Sequence, residues 1–205
     1  MSVTSRVTNQ TLDVRTLGGI FGRCQLASTA PAATLAVGQQ ASVFQDVIGS
    51  NVTSNIAGGV TFADANSFGG RVPNGEWWTI FGFQVQIFET DANDLPVASA
   101  ANVAEGIAEQ ISMTINMKGQ TYETGSVQPL PCGLGTNTLA MNGGRAVAPF
   151  RFNPRIPIAL RPNDQWFLTF TVKRQITLSA PGNKAEIFVY LPASKSIAIG
   201  QLSGA

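Results

Sequence analysis

Between Ile111 and Lys118 the chain alternates without a break: Ile111, Met113, Ile115 and Met117 are apolar, while Ser112, Thr114, Asn116 and Lys118 are polar. Side chains of an extended strand point to opposite faces in turn, so this pattern describes a strand with one face buried and one face wet. The same period returns elsewhere. Trp166, Leu168, Phe170 and Val172 alternate with Phe167, Thr169 and Thr171, and Ala185, Ile187, Val189 and Leu191 alternate with Glu186, Phe188 and Tyr190. From Trp77 to Glu89 one face carries Trp77, Phe81, Phe83, Val85 and Ile87, with Thr79 as the polar exception and Gln84 and Gln86 opposite. That stretch reads as one long strand or as two strands broken near Gly82.

Turn signals separate these runs: Pro73-Asn74-Gly75, Asp91–Pro96, Lys118-Gly119, Arg161–Asp164 and Ser179–Asn183. Gln120–Thr124 is placed to return as a hairpin partner. Phe150–Phe152 and Ile156–Leu160 are short extended pieces held to an edge or bend by Pro154 and Pro157, and Ser196–Leu202 is a candidate last strand. A short helical turn is expected within Ala98–Glu109. The count is about eight antiparallel strands, which predicts an all-β sandwich or barrel at residues 76–205.

Residues 1–75 read differently. They are rich in small and amide side chains, as in Thr29–Val37 and Ser50–Gly59, and are expected to form an irregular arm packed on the main domain or a neighbour. Leu35, Phe44, Val47 and Ile48 suggest one face of a short helix near Gly38–Ile48.

Only 12% of the 205 residues are charged, with a net charge of +1 and no histidine. An ordinary domain has about 25% charged residues. A surface this neutral is expected to associate or to be covered. The missing histidine removes Ser-His-Asp and Cys-His catalysis. Ser194-Lys195-Ser196 fails as a nucleophile–base pair because neighbours on a strand face opposite ways. Glu105 and Glu109 read as a solvated helical face. The Asp91–Asp94 loop lacks the spacing of an EF-hand. Cys132–Gly135 and Asn142–Arg145 lack the residues of phosphate-binding loops. Cys24 and Cys132 cannot supply a four-coordinate zinc site without histidine, and are read as free, buried thiols. No catalytic residue, cofactor or metal is therefore expected.

Thirteen basic residues against twelve acidic ones give no strong nucleic-acid signal, although Arg145, Arg151, Arg155 and Arg161 gather without an acid among them. No apolar window reaches the length of a transmembrane helix, and Met1–Gln10 lacks the apolar core of an export signal. Trp77-Trp78 places one indole on each face of a strand, as core, as an interface anchor or as a sugar platform.

The strands at Trp77–Glu89, Ile111–Thr124, Trp166–Val172 and Ala185–Leu191, with the Pro-broken Ile156–Leu160, resemble the jelly-roll coat proteins of icosahedral viruses, bacteriophages among them. The resemblance covers about residues 75–202 and is one of architecture. It implies an eight-stranded jelly roll without an active site, a homo-oligomer that builds or decorates a capsid with other virion proteins, assembled in the host cytoplasm. Phe21, Leu35, Phe44, Trp78, Leu130, Leu134 and Met141 are the expected interface residues, from the N-terminal segment, the first long strand and the uncharged loop Gly125–Gly144. The alternative is a non-catalytic binding module for carbohydrate or a host receptor, carried by exposed aromatics beside amides.

Overall fold

The computed structural model describes residues 2–4, 11–15, 19–28, 31–97, 107–126 and 158–198. These residues form an all-β protein with antiparallel sheets, an arrangement consistent with a β-sandwich. The strands are β1 (Ser2–Thr4), β2 (Thr11–Arg15), β3 (Ile20–Ala27), β4 (Thr34–Leu35), β5 (Gln40–Val43), β6 (Glu76–Ile80), β7 (Gln84–Thr90), β8 (Ile111–Met117), β9 (Gln120–Ser126), β10 (Ile158–Leu160), β11 (Trp166–Val172), β12 (Ile176–Thr177), β13 (Lys184–Leu191) and β14 (Ala193–Ala198). A single helical turn at 107–110 overlaps the end of the expected stretch, Ala98–Glu109, and runs one residue past it; residues 98–106 fall outside the described ones.

One sheet runs β5-β11-β8-β9, with Trp166–Val172 in unbroken register against Met117–Ile111. A second runs β3-β13-β7, and a third runs β1-β2-β14-β6-β10. The second and third continue into each other. Pro192 alone separates β13 from β14, and residues 81–83 separate β6 from β7. The two breaks lie side by side, because the Phe81 amide donates to the Pro192 carbonyl at 2.8 Å. A short β4-β12 pair stands apart.

The break at 81–83 changes the phase of burial. Trp78 and Ile80 are the core residues of β6, but Phe83, Val85 and Ile87 are those after the break. Ile80 and Phe83 are three positions apart, an odd step, so the buried side chains change from even to odd positions. The single-face reading of Trp77–Glu89 therefore fails in its first half. Trp77 is only half-buried and Phe81 is exposed, while Trp78 is fully buried.

Alternation elsewhere follows expectation. Trp166, Leu168, Phe170 and Val172 are buried, as are Ala185, Ile187, Val189 and Leu191. They join Ile20, Cys24, Leu26, Val43, Ile111 and Met113 in one core. Trp166 stacks on Phe44 at 4.7 Å and meets Trp78 edge-on at 5.4 Å.

The boundary expected at residue 75 does not divide the sheets. β3 pairs with β13 over its whole length, from Ile20↔Leu191 to Ala27↔Lys184, and β5 pairs with β11. Their inward residues are small or widely spaced (Ile20, Gly22, Cys24 and Leu26 in β3), which is why the segment reads as irregular. The helix expected near Gly38–Ile48 is instead strand β5 followed by turns. Pairing of Gln40–Val43 with Thr171–Leu168 satisfies their backbone groups, so a helix gains nothing there.

Candidate interaction surface

The chain between β5 and β6 is long and mostly without strand, yet it is tightly held. The Asp46 carboxylate accepts the amides of Thr53 (3.0 Å) and Ser54 (2.9 Å) and both their hydroxyls (2.8 Å each). Burial alone would push this carboxyl up, but the bonds from Ser54 and Thr53 outweigh it and hold it below the ordinary carboxylate range. Asp64 closes a second turn by accepting the Thr61 amide at 2.7 Å and the Thr61 hydroxyl at 2.6 Å. Gly49 donates to Val60 and Val60 to Ser50, each at 2.9 Å. A Cβ on Gly59, at φ +86°, would lie 2.4 Å from the Gly49 carbonyl oxygen.

The same loop covers two sheet edges. The Ser54 carbonyl accepts from Gln25 on β3 (2.8 Å), and the Thr53 carbonyl accepts from Ser42 on β5 (2.7 Å). Backbone groups that an edge would expose are thereby satisfied. Beside the exposed Asn51, Asn55 and Thr61, four large apolar side chains are left outward: Val52 is 80% exposed, Phe62 71%, Val47 60% and Ile48 50%. Residues 47–63 contain no charged residue. Phe62 packs edge-on against Phe68 at 5.3 Å, and Val47 lies against Gly69, which brings these apolar groups close together.

From Val52 the uncharged surface passes onto the outer face of β5 and β11. There a hollow of about 400 Å³ is lined by Gln40, Ser42, Gln45, Val52, Phe167 and Thr169, among others. Polar groups on this face pair with one another. Ser42 Oγ and Thr169 Oγ1 lie 3.0 Å apart, Asn116 donates to Thr169 Oγ1 at 3.2 Å, and the Thr121 hydroxyl donates to Asn116 Oδ1 at 3.1 Å.

The outer face of β3-β13-β7 is divided. At one end lies a charged chain. Arg23 Nε reaches Asp64 at 2.5 Å and its NH1 reaches Glu186 at 3.0 Å. Gln25 Nε2 donates to Glu186 (2.7 Å) and Asp94 (2.8 Å), and Lys184 donates to Asp94 (2.6 Å). Burial pushes Glu186 up, against the pull of Gln25 and Arg23. At the other end Phe21 (38% exposed), Phe188 (37%) and Tyr190 (42%) stand in the open beside Gln84 and Gln86.

Of the residues expected at an interface, Phe21 is exposed. Leu35, Phe44 and Trp78 are not available to a partner, because all three are core. Phe44 lies at the end of β5 with φ +72°, a left-handed backbone that accompanies the packing of its ring on Trp166. Trp78 is buried through the phase change in β6–β7. Leu130, Leu134 and Met141 lie outside the described residues, as do Cys132, Glu105 and the arginines at 145, 151 and 155. Cys24 is a free, buried thiol. Lys195 is spent on the Trp78 ring, 4.7 Å from its centroid. The sequence places Val47 and Ile48 on a helix face and Ser50–Gly59 in a small-residue stretch, and so does not group the four exposed apolar side chains of 47–63. The missed signal was the absence of charge between Asp46 and Asp64.

Among the described residues no group of three or more acidic or cysteine side chains could hold a metal ion, and no helix is long and apolar enough to cross a membrane. No protein-family model matches the sequence, and no curated protein matches it either.

Proposed function

We propose that this chain is a virion structural subunit, a jelly-roll protein that associates with its own copies and with other virion proteins to build or decorate a phage shell. Strand order supports the fold. Taking β2 with β3, β6 with β7 and β13 with β14 as one strand each, and setting aside the short β1, β4 and β12, the strands in chain order are β2–β3, β5, β6–β7, β8, β9, β10, β11 and β13–β14. One sheet then runs first, eighth, third, sixth, and the other second, seventh, fourth, fifth. That order is consistent with the winding of a double-sheet jelly roll and supports this reading.

Fold alone does not carry function. The observation that carries this one is the loop at 47–63: a pre-ordered, uncharged segment with four large apolar side chains in solvent. Exposed apolar patches mark contact surfaces, and a loop already held by Asp46 and Asp64 loses little freedom on docking. The contact acts by association, and its place of work is the particle. Repetition of a heterologous contact around a rotation axis closes a ring.

The test is sedimentation velocity over a concentration series, with the wild-type chain beside Val52→Asp and Phe62→Asp. Wild type should form oligomers that both variants lose while keeping the same circular dichroism. A wild-type chain that stays a compact monomer throughout, and cross-links to no virion component, would defeat the proposal.

A further inference from the structure

On the outer face of β3-β13-β7, cross-strand register places Phe21, Tyr190 and Gln84 in one row and Arg23, Phe188 and Gln86 in the next. These side chains line a shallow groove of about 240 Å³ with no charged group in its lining. The aromatic rings are fixed before anything binds. Phe188 stacks on Phe88 with centroids 5.5 Å apart and planes 12° from parallel. The Tyr190 hydroxyl accepts from the Gly19 amide at 3.1 Å, and its ring lies so close over Gly19 that a Cβ there would sit 2.4 Å from the ring.

The two glutamines behave differently from the other polar groups on the outer faces of the two sheets. Ser42, Thr169, Asn116 and Thr121 bond to one another, and Gln25 bonds to Glu186 and Asp94. The Gln84 and Gln86 amides make no hydrogen bond to any described residue. Each amide offers two donors and an acceptor at the groove wall. Arg23, which lies beside Phe188 in register, is already paired with Asp64 and Glu186.

We infer that this groove is a binding site for a neutral sugar. The C–H face of a pyranose ring packs on fixed aromatic rings, and its vicinal hydroxyls match the paired donors and acceptors of an amide. A second copy of this chain is the poorer occupant. An apolar contact across the groove would bury both amides without partners, and each such loss is costly. An anionic sugar finds no unpaired cation among the described residues that line it. This site uses other residues than the loop at 47–63 and stands whether or not the chain assembles. It also uses other residues than the Trp77-Trp78 pair, for which a sugar platform is one of three readings of the sequence and of which Trp78 is core.

The experiment is saturation-transfer NMR on the full chain with the methyl glycosides of glucose, galactose, mannose and N-acetylglucosamine, with dextran, and with sialyllactose as the anionic comparison. Saturation should reach the ring C–H protons of at least one neutral sugar. Gln84→Ala and Gln86→Ala should each weaken that binding about fivefold, the loss of one ordinary hydrogen bond. Both side chains reach solvent, so the variants should fold, and an unchanged amide spectrum away from β7 checks this. Three results would overturn the inference: no neutral sugar is saturated; binding survives in the double variant; or the glutamine variants alter sedimentation while no sugar binds, which would make the groove a contact between copies.

Discussion

Arg23 on β3 reaches diagonally to Glu186 on β13, with NH1 donating to Oε1 at 3.0 Å, although Arg23 itself pairs in register with Phe188. Glu186 is almost wholly buried on a face whose next outward residues, Phe188 and Tyr190, stand in solvent. The guanidinium and Gln25 are what make that carboxylate tolerable. Arg23→Met should therefore cost about 2–4 kcal/mol at neutral pH, since it strands a buried charge and also unpairs Asp64. Burial holds the Glu186 pKa above its ordinary value. A group raised in this way contributes stability below its unfolded pKa and loses it as pH rises through the folded one. The cost of Arg23→Met should accordingly shrink in mildly acid buffer, and Arg23→Met/Glu186→Gln should recover part of it. Urea unfolding of the three proteins as a function of pH measures both effects.

Asp46 has the opposite sign. The bonds from Ser54 and Thr53 outweigh burial and depress its folded pKa, so its stabilisation is present above the unfolded value and lost as pH falls through the folded one. Wild-type stability should fall below about pH 4. In Asp46→Asn that contribution to the acid limb should be absent, and the neutral-pH stability should drop by about 2–4 kcal/mol because several donors lose their acceptor. Urea midpoints across the acid range decide this. An acid limb identical in the two proteins would count against the assignment.

Association through residues 47–63 should respond to salt in a particular way. A contact without charged residues is not weakened by screening, whereas one built on ion pairs is. Raising sodium chloride from about 0.05 to about 0.5 M should leave the oligomer population unchanged or higher, and ammonium sulfate should raise it further. Light scattering at fixed protein concentration reads the difference. Gly59→Ala tests the same loop through its backbone. A methyl group at φ +86° beside the Gly49 carbonyl is strained twice over and should cost about 2–4 kcal/mol.

Much of the fold was legible because one-sided burial prints a period of two on a strand. Strand β11 follows that print residue by residue, and β8 and β13 follow it except at the buried Ser112 and Glu186 and the half-buried Met117. Two things were not legible. The flip of faces between Ile80 and Phe83 depends on where the break at 81–83 falls, and Trp77 and Trp78 are equally apolar. Strand β3 carries Gly22, Cys24 and Gln25, so its pattern is faint, and only its register with β13 reveals it. The groove was hidden for a related reason. Gln84 and Gln86 read correctly as a polar face, and Phe188 and Tyr190 as alternating residues. Their meeting depends on the pairings Gln84↔Tyr190 and Gln86↔Phe188, which join positions a hundred residues apart.

Cys24 offers a direct report on the interior. Its thiol is fully buried, and burial, with the nearby Glu186 charge, pushes its pKa well above the ordinary value. The thiolate is the reactive form, so both access and ionisation oppose labelling in the native state. In a Cys132→Ala background, where Cys24 is the remaining thiol, Ellman's reagent should react negligibly with folded protein and stoichiometrically in urea. The native-state rate should follow the opening of β3 from β13 and rise in Arg23→Met. Cys24→Ala should cost about 1 kcal/mol, and Cys24→Ser more, because it places a hydroxyl among Ile20, Leu26 and Ile187 without a built partner. Rapid labelling of the folded Cys132→Ala protein would mean that β3 is not held in the sheet as described.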